Sequence, residues 1–315
     1  MDLKVSQIDQ VAPRIRQIEL VAADGGALPA FTAGAHIDLT LGNEETRSYS
    51  LLNDPAETHR YVLGVLRETE SLGGSAYVHD VLKAGDVLKS SSPINQFPLY
   101  EAGDYNILIA GGIGVTPLVS MAHRLKALGK EYTLHYCARS REDAAFLDEL
   151  EKIHGPRIKA HFDGGDPSRG ADLKAILEKR PPAGHVYVCG PLGFIKAVNA
   201  AGAHWPRGTI HYELFKGSPA DLTPDNNDEP FDVVLKKSGK TYTIPVGKSI
   251  LAVLKAEGYK IKTLCTAGTC GTCRVTYLSG IVDHRDDVLD DDEKGEVLQV
   301  CVSRAMPGET LVLDL

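Results

Sequence analysis

The sequence predicts three consecutive domains: an all-β domain, a doubly wound α/β domain and a small α+β domain. Short apolar runs between dense turn residues predict the first domain, up to about residue 100. Fully apolar strands that alternate with amphipathic helices predict the second, from Asp104 onward. A hairpin pattern, a capped helix and a cysteine cluster near the C-terminus predict the third.

The bulk composition narrows the classes of function. A chain of 315 residues, 43% apolar and 24% charged, has the size of two or three domains and an average soluble composition. The formal net charge of −8 argues against a nucleic acid as partner. No apolar run approaches the ~20 residues that span a bilayer, and the opening MDLKVSQIDQ contains no apolar signal segment. We therefore expect a cytoplasmic protein with no nucleic-acid or membrane partner.

Residues 1–100 carry strand-like runs such as IRQIELVA, HIDLTLG and YVLGVL, separated by turns such as ADGG, GNEE and KAGD. Strands this short and this closely spaced are typical of an all-β barrel or sandwich. Within this domain, SAYVHDVLKAG has a helical pattern.

Residues 101–217 alternate strands and helices. The apolar strand YNILIAGG precedes the helix pattern TPLVSMAHRLKALGK, and the alternation continues through EYTLHYCAR, EDAAFLDELEKIHG, RIKAHFD, ADLKAILEKR, HVYVCG, LGFIKAVNAAGA and GTIHYELF. Strands that are apolar on both faces and joined by helices imply a parallel sheet covered on both sides. The domain is therefore predicted to be doubly wound.

Residues 218–230 are rich in Pro, Asp and Asn and have the composition of an exposed linker. Residues 231–315 follow with a predicted hairpin (FDVVLKKSG and KTYTIPVG) and the helix ILAVLKAEG, which Ser249 caps. The strands CRVTYLSG and TLVLDL complete a small α+β domain.

Cys265, Cys270, Cys273 and Cys301 form the pattern C-x4-C-x2-C-x27-C. Clustered thiolates are the ligands of a [2Fe–2S] centre, and this spacing is the plant-type ferredoxin one. Zinc sites usually use two paired C-x2-C units, and disulfides need an oxidising compartment. We predict that these four cysteines ligate a [2Fe–2S] centre, with zinc and disulfides as the alternatives.

Two glycine turns end strands of the α/β domain. I-A-G-G-I-G-V-T-P spans residues 109–117, V-C-G-P spans residues 188–191, and each opens a helix. Glycines let the backbone approach a pyrophosphate, and a helix N-terminus offers N–H groups to it. Neither turn is G-x-G-x-x-G, so the glycines could instead serve only a tight connection. Because ligands bind at the carboxyl ends of parallel strands, two turns at one edge favour a single extended ligand.

The β domain also carries residue types suited to a phosphate and a planar ring. In R-S-Y-S, at residues 47–50, an arginine can bind a phosphate with two hydrogen bonds and a tyrosine offers an aromatic face. G-G-S, at residues 73–75, begins the helical segment. Taken alone, Arg47 could be an exposed ion pair and Tyr49 a half-buried strand aromatic.

Together, R-S-Y-S, G-G-S, G-G-I-G-V-T-P, C-G-P and C-x4-C-x2-C resemble the ferredoxin–NADP reductase-like flavoprotein superfamily with a C-terminal ferredoxin domain. The domain order resembles the phthalate dioxygenase reductase and vanillate O-demethylase reductase group, over essentially the whole chain. The resemblance implies a flavin-binding antiparallel β-barrel (1–100), a nicotinamide-binding α/β domain (101–217) and a β-grasp ferredoxin domain (231–315).

The resemblance also implies roles for single residues. Arg47 would bind the flavin phosphate, Tyr49 and Ser50 would line the flavin, and the segment HYELF would lie near its ring. The predicted catalytic residues are Ser50, Cys189, Glu213 and Phe215. The predicted cofactor-binding residues are Arg47, Ser48, Tyr49, Ser50, Gly73, Gly74, Ser75, Gly111, Gly112, Gly114, Thr116, Pro117, Arg139, Cys189, Gly190 and Pro191.

The resemblance bears on the choice of flavin and nucleotide. Relatives with this domain order use FMN, whereas the ancestral reductases bind FAD, and I-N-Q-F-P at residues 94–98 resembles the N-x-F stretch of the FMN group. We therefore expect FMN. The choice of nucleotide depends on the loop C-A-R-S-R at residues 137–141, whose arginines and serine could accept a 2′-phosphate. Because the FMN group mostly uses NADH and carries similar residues, we expect NADH.

These predictions combine into one function. NADH supplies two electrons as a hydride, a [2Fe–2S] cluster accepts one at a time, and a flavin converts between them. Members of the group usually feed a Rieske-type oxygenase that hydroxylates or demethylates an organic substrate. We therefore expect an NADH-dependent reductase, monomeric, with a terminal oxygenase as partner. The alternatives are a free-standing NAD(P)H diaphorase or flavin reductase, and an iron–sulfur redox sensor or carrier.

One stretch bears on the partner. Residues 283–296, DHRDDVLDDDEKGE, hold eight acidic residues against one arginine and one lysine. Such a stretch could form an acidic face that steers a basic partner, or it could be ordinary solvated surface.

Overall fold

The computed structural model describes residues 1–69, 73–206, 208–215, 228–262, 268, 271–286 and 288–315. The chain divides into two compact units, Met1–Glu213 and Leu214–Leu315. No helix within these ranges is long and apolar enough to cross a membrane.

The first unit begins with an antiparallel β-barrel. Its elements are β1 (Asp2–Ala12), β2 (Ile15–Ala22), β3 (His36–Thr40), β4 (Thr46–Ser50), β5 (Tyr61–Leu66), α1 (Gly74–Asp80) and β6 (Val87–Ser90). The six strands pair in the order β4-β3-β6-β1-β2-β5. The amide of Leu52 donates to the carbonyl of Val62 at 3.0 Å, which brings the two outer strands together. The sheet therefore closes into a barrel rather than forming a sandwich.

The second part of this unit is a five-stranded parallel sheet. Its elements are β7 (Tyr105–Gly111), α2 (Val115–Ala127), β8 (Glu131–Ala138), α3 (Leu147–His154), β9 (Ile158–Phe162), α4 (Leu173–Leu177), β10 (Gly184–Cys189), α5 (Leu192–Ala201) and β11 (Ile210–Glu213). The strand order is β11-β10-β7-β8-β9, and every neighbouring pair is parallel. All carboxyl ends therefore meet at one edge, with β7 and β10 side by side.

Two helices of this domain are shorter than their sequence patterns predict. The pattern EDAAFLDELEKIHG becomes helical only at Leu147, because Phe146 before it has a left-handed φ of 66°. The pattern ADLKAILEKR gives a helix of five residues, followed by two prolines at 181–182. The side chain of Asp172 caps it by accepting from the amide of Ala175.

One apolar core joins the barrel to the α/β domain. Gly34 lies at this junction, where its amide donates to the hydroxyl of Ser120 at 3.1 Å. A Cβ on Gly34 would lie 2.0 Å from the carbonyl oxygen of Phe97, so the chain can approach this closely only without a side chain. The core that joins the two parts includes Ala33, Leu52, Val62 and Phe97 together with Leu118, Val119, Met121 and Ala122 of α2.

The second unit is an α+β domain of the β-grasp type. Its elements are β12 (Phe231–Leu235), β13 (Thr241–Ile244), α6 (Ile250–Ala256), β14 (Arg274–Ser279), β15 (Val282–Asp283), β16 (Val297–Gln299), β17 (Arg304–Ala305) and β18 (Leu311–Leu313). The main sheet has the order β13-β12-β18-β14-β16, in which only β12 and β18 pair in parallel among the described pairings. The hydroxyl of Ser249 accepts from the amide of Ala252 at 3.1 Å, which confirms the predicted cap.

Candidate redox site

The two predicted glycine turns contact each other at the carboxyl edge of the parallel sheet. A Cβ on Gly114 would lie 2.3 Å from the carbonyl oxygen of Cys189, and a Cβ on Gly190 would lie 3.1 Å from Cα of Gly111. These glycines are therefore required by the packing of one turn on the other. Gly112 differs, because it has a φ of +56° and nothing lies within 4 Å of the position of its Cβ. Its backbone faces open space, where a ligand can approach.

Thr116 and Pro117 are buried at the start of α2. The Thr116 hydroxyl donates to the carbonyl of Ile113 at 3.1 Å, and its methyl group would lie 2.9 Å from a Cβ on Gly64 of the barrel. The two residues therefore shape the turn and its contact with β5. Their predicted contact with a dinucleotide stays a prediction.

Three of the predicted catalytic residues converge at this edge. Cys189 and Glu213 are register partners at the ends of β10 and β11. The hydroxyl of Ser50, at the end of β4, hydrogen-bonds to the Glu213 carboxylate. Barrel and sheet thus contribute jointly to one group of residues, and the catalytic roles predicted for them stay predictions.

The protonation of this group is set by burial. Burial raises the pKa of Glu213 to about 7, and the hydrogen bond from Ser50 acts in the opposite direction. Burial also raises the pKa of the Cys189 thiol well above its ordinary value, and the negative charge of Glu213 adds to that effect. The thiol is therefore protonated, whereas the carboxyl group titrates close to neutral pH.

One oxygen of this carboxyl group has no partner. Within the described chain, Oε2 of Glu213 is fully buried and makes no hydrogen bond. A buried polar atom without a partner is costly, and a polar edge of a bound ring system would supply one. The site therefore fits a flavin and a nicotinamide at this position.

Arg47 lies against the start of α1. A Cβ on Gly74 would lie 2.8 Å from Cγ of Arg47, so the glycine makes room for the arginine side chain. Nη1 of Arg47 pairs with Glu45 at 2.6 Å and donates to the carbonyl of Thr46 at 2.8 Å. The arginine thus makes the exposed ion pair considered above and is also placed beside G-G-S, where a flavin phosphate would fit.

The other residues of the barrel motif have separate contacts. Tyr49 packs against the barrel core, and burial raises its pKa to about 12. The Ser48 hydroxyl donates to Asp38 at 2.5 Å. The Ser75 hydroxyl accepts from the amide of Glu68 at 3.1 Å.

The last three predicted positions lie outside the helices and strands. Gly73 has a φ of 111° and precedes α1. Pro191 occupies the position before α5. Phe215 is an exposed aromatic residue in the second unit, and its predicted place beside a flavin ring stays a prediction.

Two of the four predicted cluster ligands are described, and they converge. The Sγ atoms of Cys273 and Cys301 lie 2.7 Å apart, and both residues are almost completely buried. Cys273 directly precedes β14 and Cys301 follows β16, and these strands pair antiparallel. The fold therefore brings the distant Cys301 to the cysteine loop, and the sulfur donors fit an iron–sulfur cluster. Cys265 and Cys270 lie outside the described residues.

A buried charge network close to Cys301 gave no signal in the sequence. Arg304 is fully buried, and its two terminal nitrogens donate to the carbonyls of Lys248 and Glu229 at 2.9 Å each. Asp228 lies 3.5 Å from Nε of Arg304 and binds Arg285 at 2.5 and 3.2 Å. The network joins the end of the predicted linker to the strand that follows Cys301.

Comparison with known proteins agrees with the predicted nicotinamide-binding and iron–sulfur domains. Residues 108–200 match the family model described as an oxidoreductase NAD-binding domain, and residues 233–306 match the model of a 2Fe-2S iron-sulfur cluster binding domain. The fold and the two domains define an iron–sulfur oxidoreductase that uses a nicotinamide nucleotide.

Full-length relatives identify the family. The tert-butanol monooxygenase / tert-amyl alcohol desaturase reductase subunit of Aquincola tertiaricarbonis is 43% identical, over 100% of this chain and 96% of that protein. Phthalate dioxygenase reductase of Burkholderia cepacia is 42% identical, over 99% and 97%. A solved structure of phthalate dioxygenase reductase, described as modular for electron transfer from pyridine nucleotides to [2Fe–2S], matches with a TM-score of 0.73 at 42% identity, over 100% and 98%. The chain belongs to the phthalate dioxygenase reductase family.

The contact between the two glycine turns is testable. Gly114→Ala places a methyl group 2.3 Å from the carbonyl oxygen of Cys189, so the turns must separate. We expect kcat/KM for NADH to fall by roughly 10- to 100-fold, because small displacements of a binding turn are costly. The matched control is Gly193→Ala, where nothing lies within 4 Å. Steady-state kinetics with ferricyanide measure both variants, and equal values for the two would contradict the assignment.

The raised pKa of Glu213 predicts a pH-dependent stability. The folded state binds this proton more tightly than the unfolded chain, whose carboxyl group has the ordinary pKa of 4.5. The stabilisation is therefore complete below pH 4.5 and is lost as the pH rises through about 7. Relative to wild type, Glu213→Gln should gain about 3 kcal/mol between pH 4.5 and pH 8.

Urea titrations across this pH range measure the difference. Ser50→Ala is the matched variant, because it removes the hydrogen bond that lowers the pKa of Glu213. It should therefore move the loss of folding stability to higher pH. If the free energies of unfolding of wild type and Glu213→Gln changed in parallel with pH, the carboxyl group of Glu213 would not be the cause of the pH dependence.

Proposed function

We propose that the protein is the NADH-dependent reductase component of an oxygenase system, which passes electrons from NADH by way of FMN and a [2Fe–2S] cluster to a terminal oxygenase of the Rieske type. The observation that carries the proposal is the presence of two redox sites in one chain of this family. One is the carboxyl-edge site of Ser50, Cys189 and Glu213, and the other is the converging pair Cys273 and Cys301. FMN, when bound, supplies the conversion between two-electron and one-electron transfer.

The chain itself binds and orients the reactants. Arg47, beside the start of α1, holds the flavin phosphate. The open backbone at Gly112 receives the dinucleotide, and Gly190 with Pro191 fixes the neighbouring turn. Glu213 offers its unpaired oxygen to the ring site. Cys273 and Cys301, together with Cys265 and Cys270, hold the cluster.

Only some of the acidic residues of segment 283–296 are available to contact a partner protein. Asp283 pairs with Arg285, Glu293 pairs with Arg274, and Asp286 is buried. Among the described residues of this segment, the exposed acids are Asp290, Asp291, Asp292 and Glu296, of which Asp291 lies 3.8 Å from Nζ of Lys294. These four are the carboxylates that a basic surface of the oxygenase would meet.

We also infer a cytoplasmic monomer. The net charge of −8 favours a well-dispersed protein, and light scattering of the purified chain measures its mass directly.

Removal of one cluster ligand tests the electron path. Cys301→Ala should abolish most NADH-driven reduction of cytochrome c, because the cluster is the exit for single electrons. Ferricyanide reduction, which needs only the flavin, should persist. Ser279→Ala is the control, because that residue is exposed on β14 of the same unit, and it should retain both activities.

The same experiment separates the proposal from a free-standing diaphorase. A diaphorase delivers electrons from its flavin and would reduce cytochrome c equally well in the Cys301→Ala variant. Undiminished reduction of cytochrome c, with the visible absorption of the cluster lost, would therefore contradict the proposal.

A further inference from the structure

The loop after β8 lies where a nucleotide-binding sheet distinguishes NADH from NADPH. β8 is the strand directly beside β7, which carries the first glycine turn. In such sheets a residue about 20 positions after the turn meets the ribose 2′ group, a carboxylate accepting from a hydroxyl and an arginine binding a 2′-phosphate. Arg139, Ser140 and Arg141 occupy this place.

Helix α3 neutralises the second arginine. Nη2 of Arg141 lies 2.6 Å from Oδ1 of Asp148 and 2.5 Å from Oε2 of Glu151. These two carboxylates are three positions apart, so they share one face of α3. The left-handed backbone of Phe146 starts the helix at Leu147, which places both acids in its first turns.

Ser140 is also bound to a carboxylate, whereas Arg139 is not. The Ser140 hydroxyl donates to Oδ2 of Asp143 at 2.8 Å. Arg139 is exposed, and its side chain makes no ion pair or hydrogen bond within the described chain. The carboxylates of Asp143, Asp148 and Glu151 therefore engage Ser140 and Arg141 and leave Arg139 outside these contacts.

We propose that Asp148 and Glu151 are specificity-determining residues that exclude a 2′-phosphate by holding Arg141, and so set the preference for NADH over NADPH. The inference rests on the proposed function. Arg141, like its neighbour Arg139, could bind the phosphate with two hydrogen bonds. The two acids remove Arg141 as a donor and add negative charge that repels a phosphate dianion.

Because these ion-paired side chains are exposed, they can be substituted without unfolding the domain. The side chains of Arg141 and Asp148 are 52% and 87% exposed, and exposed ion pairs contribute little to stability. Neutralising the acids should therefore free the arginine without unfolding the domain, which thermal melts of each variant check.

The test is the double variant Asp148→Asn/Glu151→Gln, assayed with ferricyanide so that only the first unit is needed. We expect kcat/KM for NADPH to rise by roughly tenfold or more, from the loss of two repulsive charges and the release of Arg141. The value for NADH should stay within about twofold, because a 2′-hydroxyl carries no charge. Calorimetric binding of 2′,5′-ADP should tighten in parallel, whereas that of 5′-AMP should not.

Two further variants isolate the cause. Adding Arg141→Ala to the double variant should abolish the gain with NADPH. Glu142→Gln removes an exposed acid of the same loop that makes no ion pair with Arg141 in the described part of the chain, and it should leave the nucleotide preference unchanged.

Several results would overturn the inference: a wild type that uses NADPH as well as NADH, a double variant with no gain, or a gain that survives Arg141→Ala. A gain of the same size in Glu142→Gln would assign the effect to general charge and not to Arg141. Failure of the wild type to oxidise either nucleotide would instead refute the proposed function.

Discussion

The apolar core shared by the β-barrel and α2 determines where the groups of the first site lie. Ser50 belongs to the barrel and Glu213 to the parallel sheet, so their hydrogen bond exists only while the two parts hold a fixed relation. Leu52, two residues beyond Ser50, is part of that core together with Leu118 of α2. The glycine at position 34 allows a close backbone approach at the junction. The packing of this core thus controls the protonation of a carboxyl group that lies outside it.

The glycine motifs illustrate how far a sequence pattern can be interpreted. The pattern indicated a strand-to-helix turn for ligand binding, with tight packing as the alternative, and the structure shows that the glycines differ in their surroundings. Gly114 and Gly190 serve the contact between turns, whereas Gly112 faces open space. The sequence pattern could not show which glycines are tightly packed. The second turn is distant in the chain and lies beside the first only because β7 and β10 are adjacent in the sheet.

Other features depended on contacts that no local pattern contains. The three-domain order and most elements were predictable, because hydrophobic periodicity and turn residues are local signals. The late start of α3 at Leu147 was not, since it follows from the backbone conformation of Phe146. The network of Arg304, Asp228 and Arg285 joins residues up to 76 positions apart, and each alone reads as an ordinary surface charge. Cys301 was assigned from the motif, and the pairing of β14 with β16 explains why it reaches Cys273.

The burial of Cys189 affects how readily its thiol is oxidised. Reductases of oxygen-using systems work where hydrogen peroxide forms, and peroxide oxidises the thiolate form of cysteine far more readily than the thiol. Cys189 lies at the edge where hydride transfer is proposed, so a sulfenic acid there would distort the site. Its complete burial and the neighbouring carboxyl group both keep the sulfur protonated. Burial and the neighbouring carboxyl group thus leave a polarisable sulfur atom at this edge of the sheet while protecting it from oxidation.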